Sequence, residues 1–282
     1  MKKVAVIQDM SSFGKCSLTA AIPVLSVMGI QACPLPTAVL TAQTAYPSFY
    51  VKDLTDEMNH FTTEWSKMDE SFDGIQTGFV TGKEQIDNIF RFLDVFQTND
   101  TLLLVDPVMG DDGELYKMYT QALLERMKEL VKRANILTPN ITECCLLTNS
   151  NYEKLHSYHD AKSFIQALEA IGQKLQQETN TQVIITGIHT PSNEPSEQYI
   201  GNLLIDYDET FFSKQPYNGQ SYSGTGDLFS AIVMGSVLRG QSLKAAIQLA
   251  ESFISSSIHD TALHNTDPKA GVNFEKFLNM LF

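Results

Sequence analysis

The chain has no long hydrophobic run. None of its 282 residues falls in a stretch approaching the ~18 consecutive apolar residues that a membrane-spanning helix needs. The first apolar segment stops at Ile7, before Gln8 and Asp9, far short of a secretory signal. No membrane partner is expected. Basic charge is scarce as well: 20 Lys and Arg stand against 33 Asp and Glu, a formal net charge of −13 with no basic block. Such a surface repels phosphate backbones and argues against a nucleic-acid partner. Cysteine is sparse and unpatterned. Cys16, Cys33, Cys144 and Cys145 lack CxxC spacing, which removes a zinc reading, and the adjacent pair sits among apolar residues as small buried hydrophobes. A reducing, cytoplasmic setting is expected. Of the six histidines, His156 and His159 have ligand-like spacing but no third ligand, so a solvated helix start is the expected reading. No Ser-His-Asp order can be assembled.

What is present is a globular composition, 43% hydrophobic and 19% charged, with enough chain for one large domain or two small ones. No linker, repeat or low-complexity segment divides it, so a single domain over 1–282 is expected. Strand-like runs (Lys3–Ile7, Ala32–Thr41, Gly74–Val80, Thr101–Val105, Ala134–Leu137, Gln182–Thr186) alternate with amphipathic helical stretches (Leu18–Met28, Thr55–Met68, Lys83–Phe96, Tyr119–Lys132, Ser163–Leu175). Two late strands, Tyr199–Ile205 and Glu209–Ser213, and two helices, Leu228–Leu238 and Leu243–Ser257, follow. Pro34 and Pro36 predict an edge or irregular strand. The alternation predicts an α/β fold with a mostly parallel sheet covered by helices on both faces. Ligands in such sheets sit at the carboxyl ends of the strands.

One strand-to-helix junction stands out. Ser223-Gly224-Thr225-Gly226-Asp227 runs directly into the apolar segment from Leu228. Glycines let successive N–H groups turn toward one point, and a helix starting there adds partial positive charge. A carboxylate beside an anion pocket suits phosphoryl transfer to an alcohol, with Asp227 taking the hydroxyl proton. The same five residues also describe a plain glycine turn capping a buried helix. Asp106-Pro107-Val108-Met109-Gly110-Asp111-Asp112 places three carboxylates after an apolar strand, a pattern for a metal or nucleotide or for a solvated turn. Thr138-Pro139-Asn140 with Glu143 fits the same chemistry, or only a helix start. Ser12–Ser17 is not a Walker A loop: Asp9 replaces its first glycine and Cys16 its hydroxyl residue.

Taken together, these residues resemble the ribokinase superfamily, and within it the pyridoxal kinases. The resemblance spans nearly the whole chain, through Ile7-Gln8, Pro34-Leu35, Thr37, Thr44 with Tyr46, Thr77-Gly78, Asp106 to Gly110, Thr138-Pro139-Asn140 with Glu143, and Gly224 to Asp227. It implies a ribokinase-like fold. It implies ATP-dependent phosphorylation of the 5′-hydroxymethyl group of pyridoxal, pyridoxine or pyridoxamine, giving pyridoxal 5′-phosphate and its relatives in vitamin B6 salvage. By the same resemblance Asp227 is the catalytic base and Gly224, Thr225 and Gly226 form the anion hole. Asp9, Thr44 and Phe79, with Asp227, contact the substrate. Asp106, Tyr116, Thr138, Glu143, Thr186 and Thr225 lie around ATP. Asp111, Glu143 and Asp106 serve Mg2+, partly through water, and a monovalent cation (K+ or Na+) belongs beside Asp106, Thr138 and Thr186. A homodimer is also implied.

Two departures matter. Phe79 stands where the family has a tyrosine, so stacking is kept and a hydroxyl lost. Asp9 stands where pyridoxal kinases commonly have a serine, which is similar to the hydroxymethylpyrimidine kinase branch. A carboxylate beside a pyridine nitrogen favours the protonated ring. A hydroxymethylpyrimidine kinase of thiamin synthesis is therefore the alternative. A catalytically silent ligand-binding relative is a third reading, against which the retained Asp227 speaks. Lys15 and the loop Thr41–Tyr50 are expected to close over the substrate.

Overall fold

The computed structural model describes residues 1–117, 119–155, 157–191, 199–216 and 219–282. His156 and residues 192–195 of the loop expected at Pro191–Pro195 lie outside them. The chain divides into two compact units, residues 1–104 with 220–282, and residues 105–219.

The first unit opens with β1 (Lys3–Ser11), which runs past the expected end at Ile7. Beyond the fully buried Val4–Ile7 come three more buried residues, Gln8, Asp9 and Ser11, whose polarity disguised them as a loop. α1 (Leu18–Val27) ends where Gly29 takes φ +76°, a conformation glycine adopts without strain. β2 (Gln31–Leu40) lies parallel to β1, and the register between them shifts between Gln8 and Met10. Irregularities of this kind re-aim side chains, here at Asp9. β3 (Val51–Asp53) pairs antiparallel with Ala38–Leu40 alone. So β2 is not itself the edge, and its two prolines stand where β3 does not reach, as a residue without an N–H requires.

α2 (Met58–Lys67) starts later than Thr55, because Asp53 accepts from the Thr55 N–H at 2.8 Å and holds a turn there. β4 (Gly74–Thr77) is parallel to β1. α3 (Lys83–Phe96) has the expected limits and buries Ile86, Ile89 and Leu93, with Phe92 and Phe96 added. Phe90 is only half-buried. Phe92 stacks at 4.6 Å on Phe96 and at 5.8 Å on Phe72, and burying a side chain of this size contributes roughly 1.5–3 kcal/mol. β5 (Leu102–Val105) completes the strand order β5-β4-β1-β2-β3.

The second unit begins with a small antiparallel ribbon, β6 (Gly110–Asp111) and β7 (Glu114–Leu115). α4 (Gln121–Leu130) is capped by Thr120, whose hydroxyl accepts from Leu123 N–H at 3.2 Å. β8 (Ile136–Leu137), α5 (Ile141–Thr148), α6 (Tyr152–Leu155) and α7 (Ala161–Thr179) follow. β9 (Gln182–His189) is parallel to β8. β10 (Tyr199–Ile205) and β11 (Thr210–Pro216) add antiparallel in the order β11-β10-β9-β8. The chain then returns to the first unit with α8 (Thr225–Leu238), α9 (Leu243–Leu263) and a closing 3₁₀ segment, Phe274–Leu281. Among the described residues no helix is long and apolar enough to cross a membrane.

Candidate active site

The first unit carries the carboxylate of the glycine junction. α8 starts at Thr225, one turn before the apolar run, with Gly224 as N-cap at φ +82°. A Cβ on Gly224 would lie 2.2 Å from the Lys15 carbonyl oxygen, so only glycine fits. Gly224 offers no side-chain cap, which leaves the first-turn N–H groups their capacity for an anion. Gly226 is exposed, and a Cβ there would meet nothing within 4 Å. The Thr225 hydroxyl donates to Tyr222 O at 3.1 Å.

Asp227 lies in that first turn. It keeps some exposure, yet the packing around it desolvates the carboxyl and pushes its pKa up to about 7, with the nearby Asp9 carboxylate adding to the rise and the Ser17 N–H opposing it. Asp9 is only 3% exposed, and burial raises its pKa against the hydrogen bonds of two serines. The Ser17 hydroxyl donates to Asp9 Oδ1 at 2.5 Å and the Ser11 hydroxyl to Oδ2 at 2.8 Å. Cys16 faces both acids, and burial pushes its thiol well above the ordinary range, so it stays a neutral, inert group.

Of the residues predicted on the substrate side, Asp9 and Asp227 are brought together. Phe79 stands two residues past Thr77 on β4, as Asp9 stands two past its partner Ile7 on β1. Thr44 is exposed on its loop. That loop is tied to the junction by Gln43, whose Nε2 donates to Ser223 Oγ at 3.0 Å and Lys269 O at 3.2 Å. Lys15, expected to close over the substrate, is bonded in this structure to the C-terminal segment. Its Nζ donates to Val272 O at 3.3 Å, Asn273 Oδ1 at 3.3 Å and Glu275 Oε2 at 3.0 Å, which commits the ammonium to the C-terminal segment. Ser11, Ser17 and Gln43 escaped the sequence reading because single serines and glutamines carry no spacing signal.

The second unit carries the predicted nucleotide-side residues other than Thr225. The Thr138 N–H donates to Val105 O at 3.2 Å, and the Thr186 N–H to Pro139 O at 2.8 Å. Asp106, Thr138 and Thr186 thus follow adjacent strand paths. The Thr138 hydroxyl is buried with no hydrogen-bond partner, as a group awaiting a ligand oxygen or cation would be. Tyr116 is 44% exposed, its N–H donating to Met109 O at 2.9 Å.

Glu143 and Asn140 form a capping box at the start of α5, so the helix-start reading of this segment holds as well. Glu143 is buried, and its pKa is raised by desolvation first, with backbone N–H donors opposing and Asp111 adding repulsion. Among the described residues no three His, Cys, Asp or Glu side chains gather as a metal cage, so Asp106, Asp111 and Glu143 are not a preformed chelate. Asp111 and Glu143 still form an electronegative pair. That donor set fits magnesium, a hard cation that keeps several waters and needs only one or two carboxylates beside phosphate oxygens.

A family model described as phosphomethylpyrimidine kinase matches residues 12–272. The chain belongs to that family. It is accordingly a phosphotransferase. A crystal structure of a candidate phosphomethylpyrimidine kinase from Bacteroides thetaiotaomicron VPI-5482, in an orthorhombic form with pyridoxal, is 36% identical with a TM-score of 0.89, over 99% of this chain and 95% of that one. Pyridoxal kinase from Lactobacillus plantarum is 28% identical with a TM-score of 0.87, over 100% and 96%. Pyridoxal kinase of Dictyostelium discoideum is 27% identical over 97% of this chain and 90% of that protein. These likenesses bear out the expected α/β, ribokinase-like class with a mostly parallel central sheet flanked by helices.

Proposed function

We propose that this kinase phosphorylates the 5′-hydroxymethyl group of pyridoxal, pyridoxine or pyridoxamine with ATP, and that residues 1–282 act as one kinase domain. The observation that carries the reading is Asp227, a carboxyl with a pKa of about 7 in the first turn of α8, beside glycine-borne N–H donors. A base poised near neutral pH takes the alcohol proton most effectively. The N–H groups of Gly224 to Asp227 hold the transferring phosphoryl oxygens. On the substrate side Asp9, Thr44 and Phe79 frame the ring, Phe79 by stacking. The relative solved with pyridoxal and the pyridoxal kinases among the neighbours support this substrate class.

On the nucleotide side Asp106, Tyr116, Thr138, Glu143, Thr186 and Thr225 take up ATP. Asp111 and Glu143, with Asp106, would hold Mg2+, partly through water, and Asp106, Thr138 and Thr186 would take K+ or Na+. Bound magnesium neutralises phosphate charge. The resemblance adds a homodimer working in the cytoplasm, the dimer testable by analytical ultracentrifugation.

A hydroxymethylpyrimidine kinase is the second reading, favoured by the acidic residue at Asp9 and by the family description. An ADP-release assay with pyridoxal, pyridoxine, pyridoxamine and hydroxymethylpyrimidine separates the two. Turnover with the pyrimidine alone would overturn the B6 assignment, and turnover with none of the four would overturn both.

A further inference from the structure

Gln85 is fully buried in the first turn of α3, although glutamine is mostly an exposed residue. An amide taken out of water is costly unless its oxygen and its nitrogen are both satisfied. Here both are. Oε1 accepts from the Thr81 N–H at 2.9 Å, and Nε2 donates to Thr37 O at 2.8 Å and to Thr55 Oγ1 at 3.1 Å. The partners fix which way the amide points. A backbone N–H can only donate and a carbonyl can only accept, so a reversed amide would set donor against donor and acceptor against acceptor.

One of these bonds has a local reading. Gly82, the N-cap of α3, brings no side-chain cap, and a glutamine at the third helical position can reach back to a preceding N–H in its stead. The Nε2 bonds have no such reading. They leave the helix for β2 and for the turn before α2, 48 and 30 residues away in the chain.

Between the two ends of this amide lies the segment that carries Phe79. The Thr37 hydroxyl donates to Phe79 O at 3.0 Å. Thr37 is itself fully buried, its carbonyl held by Gln85 Nε2 and by the Leu54 N–H at 3.0 Å. Thr81, two residues after Phe79, gives its N–H to Gln85 and its hydroxyl to Asp53. The Gly78 N–H donates to Ile7 O at 3.0 Å. The backbone is thus fastened before, at and after Phe79, which is half-buried beyond the end of β4. The fastenings at Thr37 and at Thr81 meet in Gln85.

We propose that Gln85 is a positioning residue, whose amide clamps the Phe79 segment between β2 and the start of α3 and so sets the face on which the substrate ring stacks. The inference rests on the reading of Phe79 as the stacking residue, while the clamp itself is independent of it. Asp53 limits what can stand at 85. Its Oδ1 accepts from the Thr55 N–H, and its Oδ2 accepts from the Thr81 hydroxyl and lies 3.4 Å from Gln85 Nε2. A glutamate would keep an acceptor for Thr81 but set a second carboxylate against Asp53 and the Thr37 carbonyl. Glutamine offers the acceptor at one end and the donors at the other.

The test is amide hydrogen exchange over residues 78–82, which needs no turnover, run beside kcat and the KM values for pyridoxal and ATP. Gln85→Glu is the deciding variant, since it preserves the cap and removes the donor. It is expected to quicken exchange in this segment about tenfold and to raise the KM for pyridoxal about 3–10-fold, the worth of one hydrogen bond. The KM for ATP should stay within about twofold, as the clamp touches only the ring side. Thr37→Val cuts the tie to Phe79 without altering α3 and should raise the pyridoxal KM by a similar factor. The double variant should go little further, because the two ties act in series. Should Gln85→Glu fail to fold, the uncharged Gln85→Met, of similar length, takes its place with the same expectation. Phe79→Leu is the reference and should raise the pyridoxal KM at least as far. A pyridoxal KM unmoved in Gln85→Glu while Phe79→Leu raises it would overturn the proposal and leave Gln85 a helix cap. A raised KM with unmoved exchange would overturn it too, since the effect would not pass through the clamp. An unmoved KM in Phe79→Leu would instead sink the stacking reading, and the proposal with it.

Discussion

Asn140 and Glu143 cap each other. Asn140 Oδ1 accepts from the Glu143 N–H at 2.9 Å, and Glu143 Oε2 accepts from the Asn140 N–H at 2.8 Å. Glu143 Oε1 also accepts from Met109 N–H at 3.0 Å, and Asn140 Nδ2 donates to Gly110 O at 2.8 Å. The acid proposed for magnesium is thus also the group that fastens the start of α5 to the Asp106–Gly110 segment. Glu143→Ala strands two buried N–H donors and is expected to cost about 2–4 kcal/mol, at roughly 1–3 kcal/mol per orphaned group less what water recovers. Glu143→Gln keeps the shape and one acceptor and should cost less than half as much. Urea unfolding of the two variants measures both, and equal losses would contradict the capping role.

If Asp227 is the proposed base, the burial that pushes its pKa up to about 7 fixes the sign of the pH dependence. The carboxylate is the competent form, so kcat/KM is expected to fall tenfold per pH unit below about 7 and to level off above it. Asp227→Asn should lower kcat by about 10²–10⁴-fold, the usual contribution of a positioned base, and abolish that acidic limb. Stability runs the other way. The folded-state pKa lies above the ordinary 3.8, so the native state of the wild type gains stability as pH falls from about 7 toward 4. Asp227→Asn, always neutral, should therefore be the more stable protein at pH 8, by about 1–2 kcal/mol after discounting for partial exposure. The difference should vanish below pH 4. Thermal unfolding at the two pH values checks it.

The two glycines of the junction do different work, and alanine separates them. Gly224 combines φ +82° with a Cβ position 2.2 Å from Lys15 O. Gly224→Ala should lower the melting temperature by several degrees, since about 1 kcal/mol shifts a domain of this size by roughly 2–4 °C, and should lower activity with it. Gly226 has open space at its Cβ position and lies inside α8, where alanine is the better helix former by about 1 kcal/mol. Gly226→Ala should leave the melting temperature unchanged or higher while kcat falls at least tenfold, because the added methyl would intrude on the proposed anion hole. Full activity in Gly226→Ala would remove this helix start from the anion hole.

Much of this arrangement was legible in the residues. Helix α3 kept its expected limits because Ile86, Ile89 and Leu93 repeat at helical spacing and all are buried. The helix expected over Tyr119–Lys132 instead runs Gln121–Leu130 with Thr120 as its cap, and the helix start expected after Thr138 is capped by Asn140, with Glu143 in its first turn. The parts that were not legible share one cause: they depend on contacts distant in sequence. β1 continues through polar Asp9 to Ser11 because β2 pairs with it there. The ribbon Gly110–Leu115 has strands too short to pattern, and Gly110 is needed because a Cβ would lie 2.1 Å from Glu114 O. Lys15, which stands free in the sequence, meets a segment some 257 residues away.

Gln43 belongs to this second kind, and it links the Thr44 loop to the glycine junction. Its Nε2 reaches Ser223 Oγ and Lys269 O, its Oε1 accepts from Ala45 N–H at 2.8 Å, and the Gln43 N–H itself donates to Phe13 O at 2.9 Å. The residue is nearly buried, at 9% exposure, and its side-chain bonds are partly shielded from water. Cutting the side chain at Gln43→Ala leaves the backbone bond to Phe13 and frees the 41–50 segment from Ser223. Hydrogen exchange in that segment is expected to quicken by about tenfold, the equivalent of losing roughly 1.4 kcal/mol of local stability. Because Thr44 is proposed to touch the vitamer, KM for pyridoxal should rise several-fold while the KM for ATP stays put. Exchange that quickens with no change in either KM would keep Gln43 as a tether and remove Thr44 from the substrate site.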